Sequence, residues 1–278
     1  MIIGLLRLIY VNLLVVLPLA LAGMSKAEVN SDLSEDSHFR DELGINQYTT
    51  PSIGKLFDTL DSLKPIPARE LARPPRALRL DNRVRFALSF GILIGDGFLA
   101  VVGEDAKEIP SLGRELLRRA KGLGVQQPVS RHCKQLLDLA KQSDWSGLRK
   151  ELIVTQKDVE TAMLELRDEE MAHLLSLGGW IRGLEIGAAS VARDFSPERA
   201  SDLRRLDLLD YYLQRLDTFS PSLKSTPLIS KITSDLNDVR QKLSADQPLS
   251  QADVVAIQNT AHNLVTLIEE DLATASVR

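Results

Sequence analysis

The chain has 278 residues, 44% of them hydrophobic and 26% charged, with a formal net charge of -4. That balance excludes wholesale disorder, provides apolar material for a real core and gives no general pull toward nucleic acid. A 5% aromatic share argues against a β-sandwich, and the single cysteine, Cys133, rules out an intrachain disulfide or a multi-cysteine zinc site.

At the N-terminal end, a short stretch with one basic residue, Arg7, precedes a nearly unbroken apolar run from Leu8 to Leu19. Ala20 and Ala22 then place small residues where signal peptidase reads. Residues 1–22 are read as a signal peptide, cleaved near Gly23, that sends the chain to the periplasm or out of the cell. The alternative is an anchor at the inner membrane formed by residues 2–22, because the apolar run is only a little shorter than the ~20 residues of a span. Leu21-Ala22-Gly23-Met24 looks like a lipobox, but methionine stands in place of the cysteine and nothing is left to acylate.

Residues 23–50 form an acidic arm, expected to be flexible, in which residues 28–42 carry Glu28, Asp32, Glu35, Asp36, Asp41 and Glu42 against Arg40. In residues 51–80 a short amphipathic helix is expected at about Ser52 to Leu63, with Ile53, Leu56, Phe57, Leu60 and Leu63 on one side. A basic strap follows, in which Lys64, Arg69, Arg73, Arg76 and Arg79 stand among Pro65, Pro67, Pro74 and Pro75. Prolines at that density impose an extended path and forbid a regular helix. The strap is expected to lie over the helical body, its arginines solvated or paired with carboxylates. Its functional alternative is a docking peptide for an acidic partner or an anionic lipid.

From Asp81 onward the pattern is helical, with no stretch of period-two alternation long enough for a sheet. Helices are expected near 81–102, 110–122, 129–142, 146–174, 175–194, 197–217, 226–244 and 250–273. Two starts are legible. Ser196-Pro197-Glu198 offers a cap, a first-turn proline and an acidic residue, and Ser250 to Asp253 has capping-box spacing.

The most informative feature is internal similarity. Leu88-Ser89-Phe90-Gly91 recurs as Leu175-Ser176-Leu177-Gly178, an offset of 87 that also carries Ile94 onto Ile181, Pro110 onto Pro197, Leu116 onto Leu203 and Arg118 onto Arg205. Farther along the offset grows to about 100, aligning Ser130 and Leu136 with Ser230 and Leu236, with the extra residues near 219–227. The helical domain, 81–273, is therefore read as two related four-helix units, 81–168 and 169–273. In the leading helix of each, small residues recur every fourth position, at Ala87, Gly91 and Gly95, and at Gly179, Gly183 and Gly187. Glycine costs about 1 kcal/mol relative to alanine inside a helix, so this repetition implies close approach of another backbone. The fold class is an all-α multi-helix bundle, its two units packed through central Gly-rich helices. The segment from Val84 to Val102 has the length of a membrane span, but Asp96 in its middle and Arg182 and Glu185 in its counterpart argue for a core helix instead.

Those charges are the candidate site. A buried Asp96 to Arg182 ion pair would set the register of the two helices. Alternatively Asp96, Arg182 and Glu185 form a pocket for a polar ligand. Glu170 and His173 have the Glu-x-x-His spacing that places a carboxylate and an imidazole on one helix face, and they are the candidate metal ligands. A two-metal centre needs a second such pair, and near His262 the position that needs glutamate is Asn259. His132 and Cys133 are adjacent, so on a helix they point about 100° apart and cannot act as a nucleophile and base pair. Cys133 is expected to be a small buried hydrophobe. No phosphate loop, nucleophile elbow or dinucleotide fingerprint is present, and no cofactor is implied.

The chain is accordingly expected to be an exported helical binding or scaffold protein of the cell envelope, with a protein partner there, no nucleic acid, and membrane contact only through an uncleaved signal segment. A metal- or small-molecule-binding enzyme or carrier, with a polar site between the central helices, is the alternative.

Overall fold

The computed structural model describes residues 53–75 and 82–270, all within one unit, residues 32–278. The signal segment, the acidic arm and the strap residues Arg76 and Arg79 lie outside the described residues. Among the described residues every regular element is helical. Two short pieces come first, α1 (Ile53–Ser62) and α2 (Ala68–Leu71), followed by α3 (Arg83–Val102), α4 (Ile109–Leu123), α5 (Gln126–Lys141) and α6 (Trp145–Glu165). The chain continues through α7 (Glu169–Arg193), α8 (Pro197–Ser201), α9 (Leu206–Thr218), α10 (Pro221–Lys224), α11 (Pro227–Leu243) and α12 (Gln251–Ile268).

Helices α3 and α7 are apolar on nearly every face, and a helix of that kind is stable only when covered all round. Every residue of α3 from Ala87 to Leu99 is buried, as is every residue of α7 from Leu174 to Val191. Among the described residues α3 is the one helix long and apolar enough to cross a membrane, and 78% of its apolar window is enclosed by the rest of the chain.

The two helices meet backbone to backbone. A Cβ on Gly91 would stand 1.9 Å from the Leu175 carbonyl oxygen, and one on Gly178 would stand 2.0 Å from that of Leu88. Gly91 and Gly178 are 87 positions apart, as are Leu88 and Leu175, so the crossing reads the same from either helix. No side chain larger than hydrogen fits at either glycine.

The remaining helices are amphipathic and wrap this pair. Helix α4 packs on α3, α5 on α4, and α6 on α5 and back onto α3. On the other side α9 packs on α11, α11 on α12, and α12 on α7 and more lightly on α3. The stripes follow helical spacing, as with Leu112, Leu116, Ala120 and Leu123 on α4 or Ile257, Ala261, Leu264 and Ile268 on α12. Helix α1 lies on α7 and α6, burying Leu60, and the chain just beyond it buries Leu63. Local hydrogen bonds fix the helix starts. Ser196 accepts from the Arg199 amide ahead of Pro197, and Ser250 and Asp253 form a reciprocal capping box.

Three details depart from the sequence expectations. The break expected between residues 174 and 175 lies instead at 166–168, where Arg167 turns the chain at φ 57 with no glycine or proline to mark it. The helix expected over 197–217 is interrupted at 202–205, where Leu203 leaves the helix and is buried. Between Pro67 and Pro74 the strap forms one helical turn, α2, because a proline just ahead of a helix removes an amide that would lack an intrahelical partner anyway.

At Gly91 or Gly178, substitution by alanine should cost about 3 kcal/mol or more, because the obstacle is a backbone carbonyl that cannot swing away. Gly187→Ala should cost well under half as much, its nearest neighbour being the terminal methyl of Leu63 at 3.0 Å. Urea denaturation of the three variants against the parent chain measures both.

Candidate functional site

Just past the crossing, the absence of a side chain at Gly95 makes room for the stem of Arg182. A Cβ there would lie 2.8 Å from Arg182 Cγ. The guanidinium, 1% exposed, is thereby directed along α3 to the next residue, Asp96. Arg182 Nε donates to Asp96 Oδ1 at 2.8 Å, one terminal nitrogen to Glu185 Oε2 at 2.7 Å and the other to the Leu71 carbonyl at 2.7 Å. Asp96, Arg182 and Glu185 are thus in direct contact.

The cluster extends beyond those three. From the strap, Arg73 grips Asp96 with two parallel bonds, Nε to Oδ1 at 3.1 Å and a terminal nitrogen to Oδ2 at 2.7 Å. Its other terminal nitrogen donates to Glu269 Oε2 at 2.8 Å, and Glu269 Oε1 accepts from Arg119 at 2.9 Å. At the opposite end His262 Nδ1 lies 2.8 Å from Glu185 Oε1. Three arginines therefore alternate with three carboxylates along one continuous path through the strap, α3, α4, α7 and the end of α12. Burial works against the charge on Arg73, but Asp96 and Glu269 outweigh it and raise its pKa above the ordinary arginine value. At Arg119 burial dominates, and the pKa is lowered despite Glu269.

Beside this path is a cavity of about 260 Å³ lined by Arg73, Pro74, Leu93, Arg119, His262 and Glu269, together with Asp96. Arg119, His262 and Glu269 were not singled out as site residues from the sequence, whereas Arg73 was among the strap arginines expected to be solvated or paired with carboxylates. Arg119 had a signal, since it falls on the apolar stripe of α4 three residues after Leu116 and four before Leu123, where a charge is out of pattern.

Glu170 and His173 are not brought together on a shared ligand. Glu170 accepts from the Ser220 amide at 2.7 Å, whereas His173 Nδ1 lies 3.3 Å from the Tyr211 hydroxyl. Among the described residues no group of three or more His, Cys, Asp or Glu side chains is placed to hold a metal ion. Burial, with a smaller contribution from Arg215, holds the His173 imidazole down at about 4. Cys133 is buried and its thiol donates to the Gly113 carbonyl at 3.3 Å, and burial pushes its pKa up to about 11. Its neighbour His132 points away toward Glu151 at 2.7 Å and Asp158 at 3.0 Å, one on each ring nitrogen, so these carboxylates cannot converge with the imidazole on one ion.

Compared with family models, with curated proteins and with solved structures, the chain finds no match.

Asp96→Ala leaves the buried Arg182 with Glu185 as its one carboxylate and takes from Arg73 both of its bonds to Asp96, and should lower stability by about 3–5 kcal/mol in chemical denaturation. Acid stability gives a second check. Because the folded chain keeps His173 neutral until pH falls to about 4, the unfolded chain alone binds that proton between pH 6.5 and 4. Stability therefore falls as pH drops through this window, by at most about 3 kcal/mol from this group. Denaturation curves at pH 7 and pH 4.5 should differ less for His173→Asn than for the parent chain.

Proposed function

We propose that the chain is an exported helical binding or scaffold protein of the cell envelope, assembled from two related four-helix units, 81–168 and 169–273, that pack through their central Gly-rich helices. Support for the duplication comes from the reciprocal contact at the crossing. The offset of 87 that aligns Gly91 with Gly178 and Leu88 with Leu175 converts one close approach into the other. In the same frame Gly95 corresponds to Arg182, and Asp96 to Gly183. Each unit thus supplies one charge and, at the equivalent position of the other charge, a glycine. In both units the fourth long helix returns to pack on the first, α6 on α3 and α12 on α7.

The observation that carries the non-catalytic reading is the mutual engagement of Asp96, Arg182 and Glu185. Arg182 uses all three of its nitrogens on partners within the chain, which makes the group a bolt between helices and strap. Buried pairs of this kind set register more than they add stability. Export rests on the apolar run and small residues of positions 8–22, with retention at the inner membrane by residues 2–22 as the variant of that reading. The partner is taken to be an envelope protein, reached through the arms or the groove between the units.

Expression of the full chain in a bacterial host tests this. The expected result is a periplasmic or secreted protein whose N-terminus lies near residue 23, free of stoichiometric metal by native mass spectrometry, and crosslinked in living cells to a discrete envelope protein. A cytoplasmic chain that keeps its first residues, or one that carries a metal ion at one per chain, would overturn it.

A further inference from the structure

The cavity beside the charged path holds a cation whose bonding is incomplete. Arg119 is 2% exposed, and one terminal nitrogen donates both to the Ser89 carbonyl at 2.5 Å and to Glu269 at 2.9 Å. Its Nε and its second terminal nitrogen have no hydrogen-bond partner among the described residues. That is the same edge of the guanidinium with which Arg73 holds both oxygens of Asp96. Two parallel N–H groups at that spacing match a carboxylate, which gives such pairs their strength and their specificity. The electrostatics agree with the geometry, since burial depresses the Arg119 pKa where the doubly paired Arg73 has its own raised.

The cavity also has a direction. Its lining runs from Arg119 and Leu93, both buried, to His262, whose side chain is 64% exposed. Pro74 and Leu93 give it apolar wall. At about 260 Å³ it falls just below the range of roughly 300–1,000 Å³ typical of drug-sized ligands, which leaves room for a small organic molecule. Asp96 and Glu269 line the same space, so a doubly charged anion such as phosphate meets two like charges there, while one carboxylate seated on Arg119 adds a single negative charge.

We propose that this cavity binds a small organic acid, its one carboxylate gripped by the free edge of Arg119 and its short apolar tail laid against Leu93 and Pro74. The site differs from the Asp96, Arg182 and Glu185 group, whose bonds are made within the chain, and it does not depend on where the protein resides.

Butyrate is the probe, titrated calorimetrically into the purified full-length protein, with butyramide and inorganic phosphate as controls of the same experiment. Butyrate should give saturable heat and both controls none. Arg119→Met should abolish the signal, and Arg119→Lys, which keeps the charge but loses the planar edge, should weaken binding about tenfold or more. Because Arg119→Met could also impair folding, Thr266→Phe gives an independent arm. Thr266 lines the cavity from an exposed position, so the larger ring narrows the space without touching Arg119 and should weaken butyrate binding in a folded protein. Absence of saturable butyrate binding to the folded parent protein would overturn the proposal. So would binding that Arg119→Met and Thr266→Phe leave unchanged, or phosphate binding in preference to butyrate.

Discussion

Contact between two backbones organises this molecule. Where α3 crosses α7, the carbonyl of Leu175 occupies the space a side chain on Gly91 would need, and the carbonyl of Leu88 does the same at Gly178. Contact that close limits sliding, because moving Gly91 off the crossing would bring Phe90 or Ile92 against the Leu175 carbonyl. It also draws the helix axes together so that each helix buries nearly its whole circumference. The amphipathic helices then need only one apolar face apiece to complete the fold.

The buried charges follow from that crossing. Next to the contact point the helices are still close, and Gly95 gives Arg182 the only clearance it needs to run along α3. An ion pair sealed from water gains little net free energy over an apolar replacement, yet losing one member leaves the other uncompensated. The Asp96 to Arg182 pair is therefore better understood as a constraint on which arrangement forms than as a source of stability. Its extension through Arg73 and Glu269 gives the strap a fixed seat, which its prolines and its single helical turn could not provide alone.

Much of this was readable in the residues. Of the small-residue stripe read on α3, Gly91 meets the Leu175 carbonyl, but on α7 the crossing falls at Gly178, outside the stripe of Gly179, Gly183 and Gly187, and Gly187 faces Leu63 and Leu203 instead. The three charges stood out because a buried apolar helix has no other use for charge. Cap chemistry located the starts of α8 and α12. What escaped was of two kinds. The interruptions at 166–168 and 202–205 carry no glycine or proline, and at the second the burial of Leu203 shows packing overriding the local pattern. Glu269 and His262 sit at the end or on the exposed side of a helix, where charges are ordinary, and their significance comes from partners remote in the chain, as are the particular carboxylates that Arg73 finds. Arg119 was different, since a charge on an apolar stripe is a local anomaly that needs no partner to be noticed.

The clasp of Arg73 on Glu269 joins residues 196 positions apart, and Glu269 lies just beyond the last described helix. Synthesis makes Arg73 long before Glu269, so this clasp waits for α12, whereas the bond of Arg73 to Asp96 spans only 23 positions. Contacts of such long sequence separation form late, because the loop they close carries an entropy that nearer contacts must first offset. A growing or unfolded chain therefore holds Arg73 and Glu269 apart in water, and the bond between them closes only once α12 is in place.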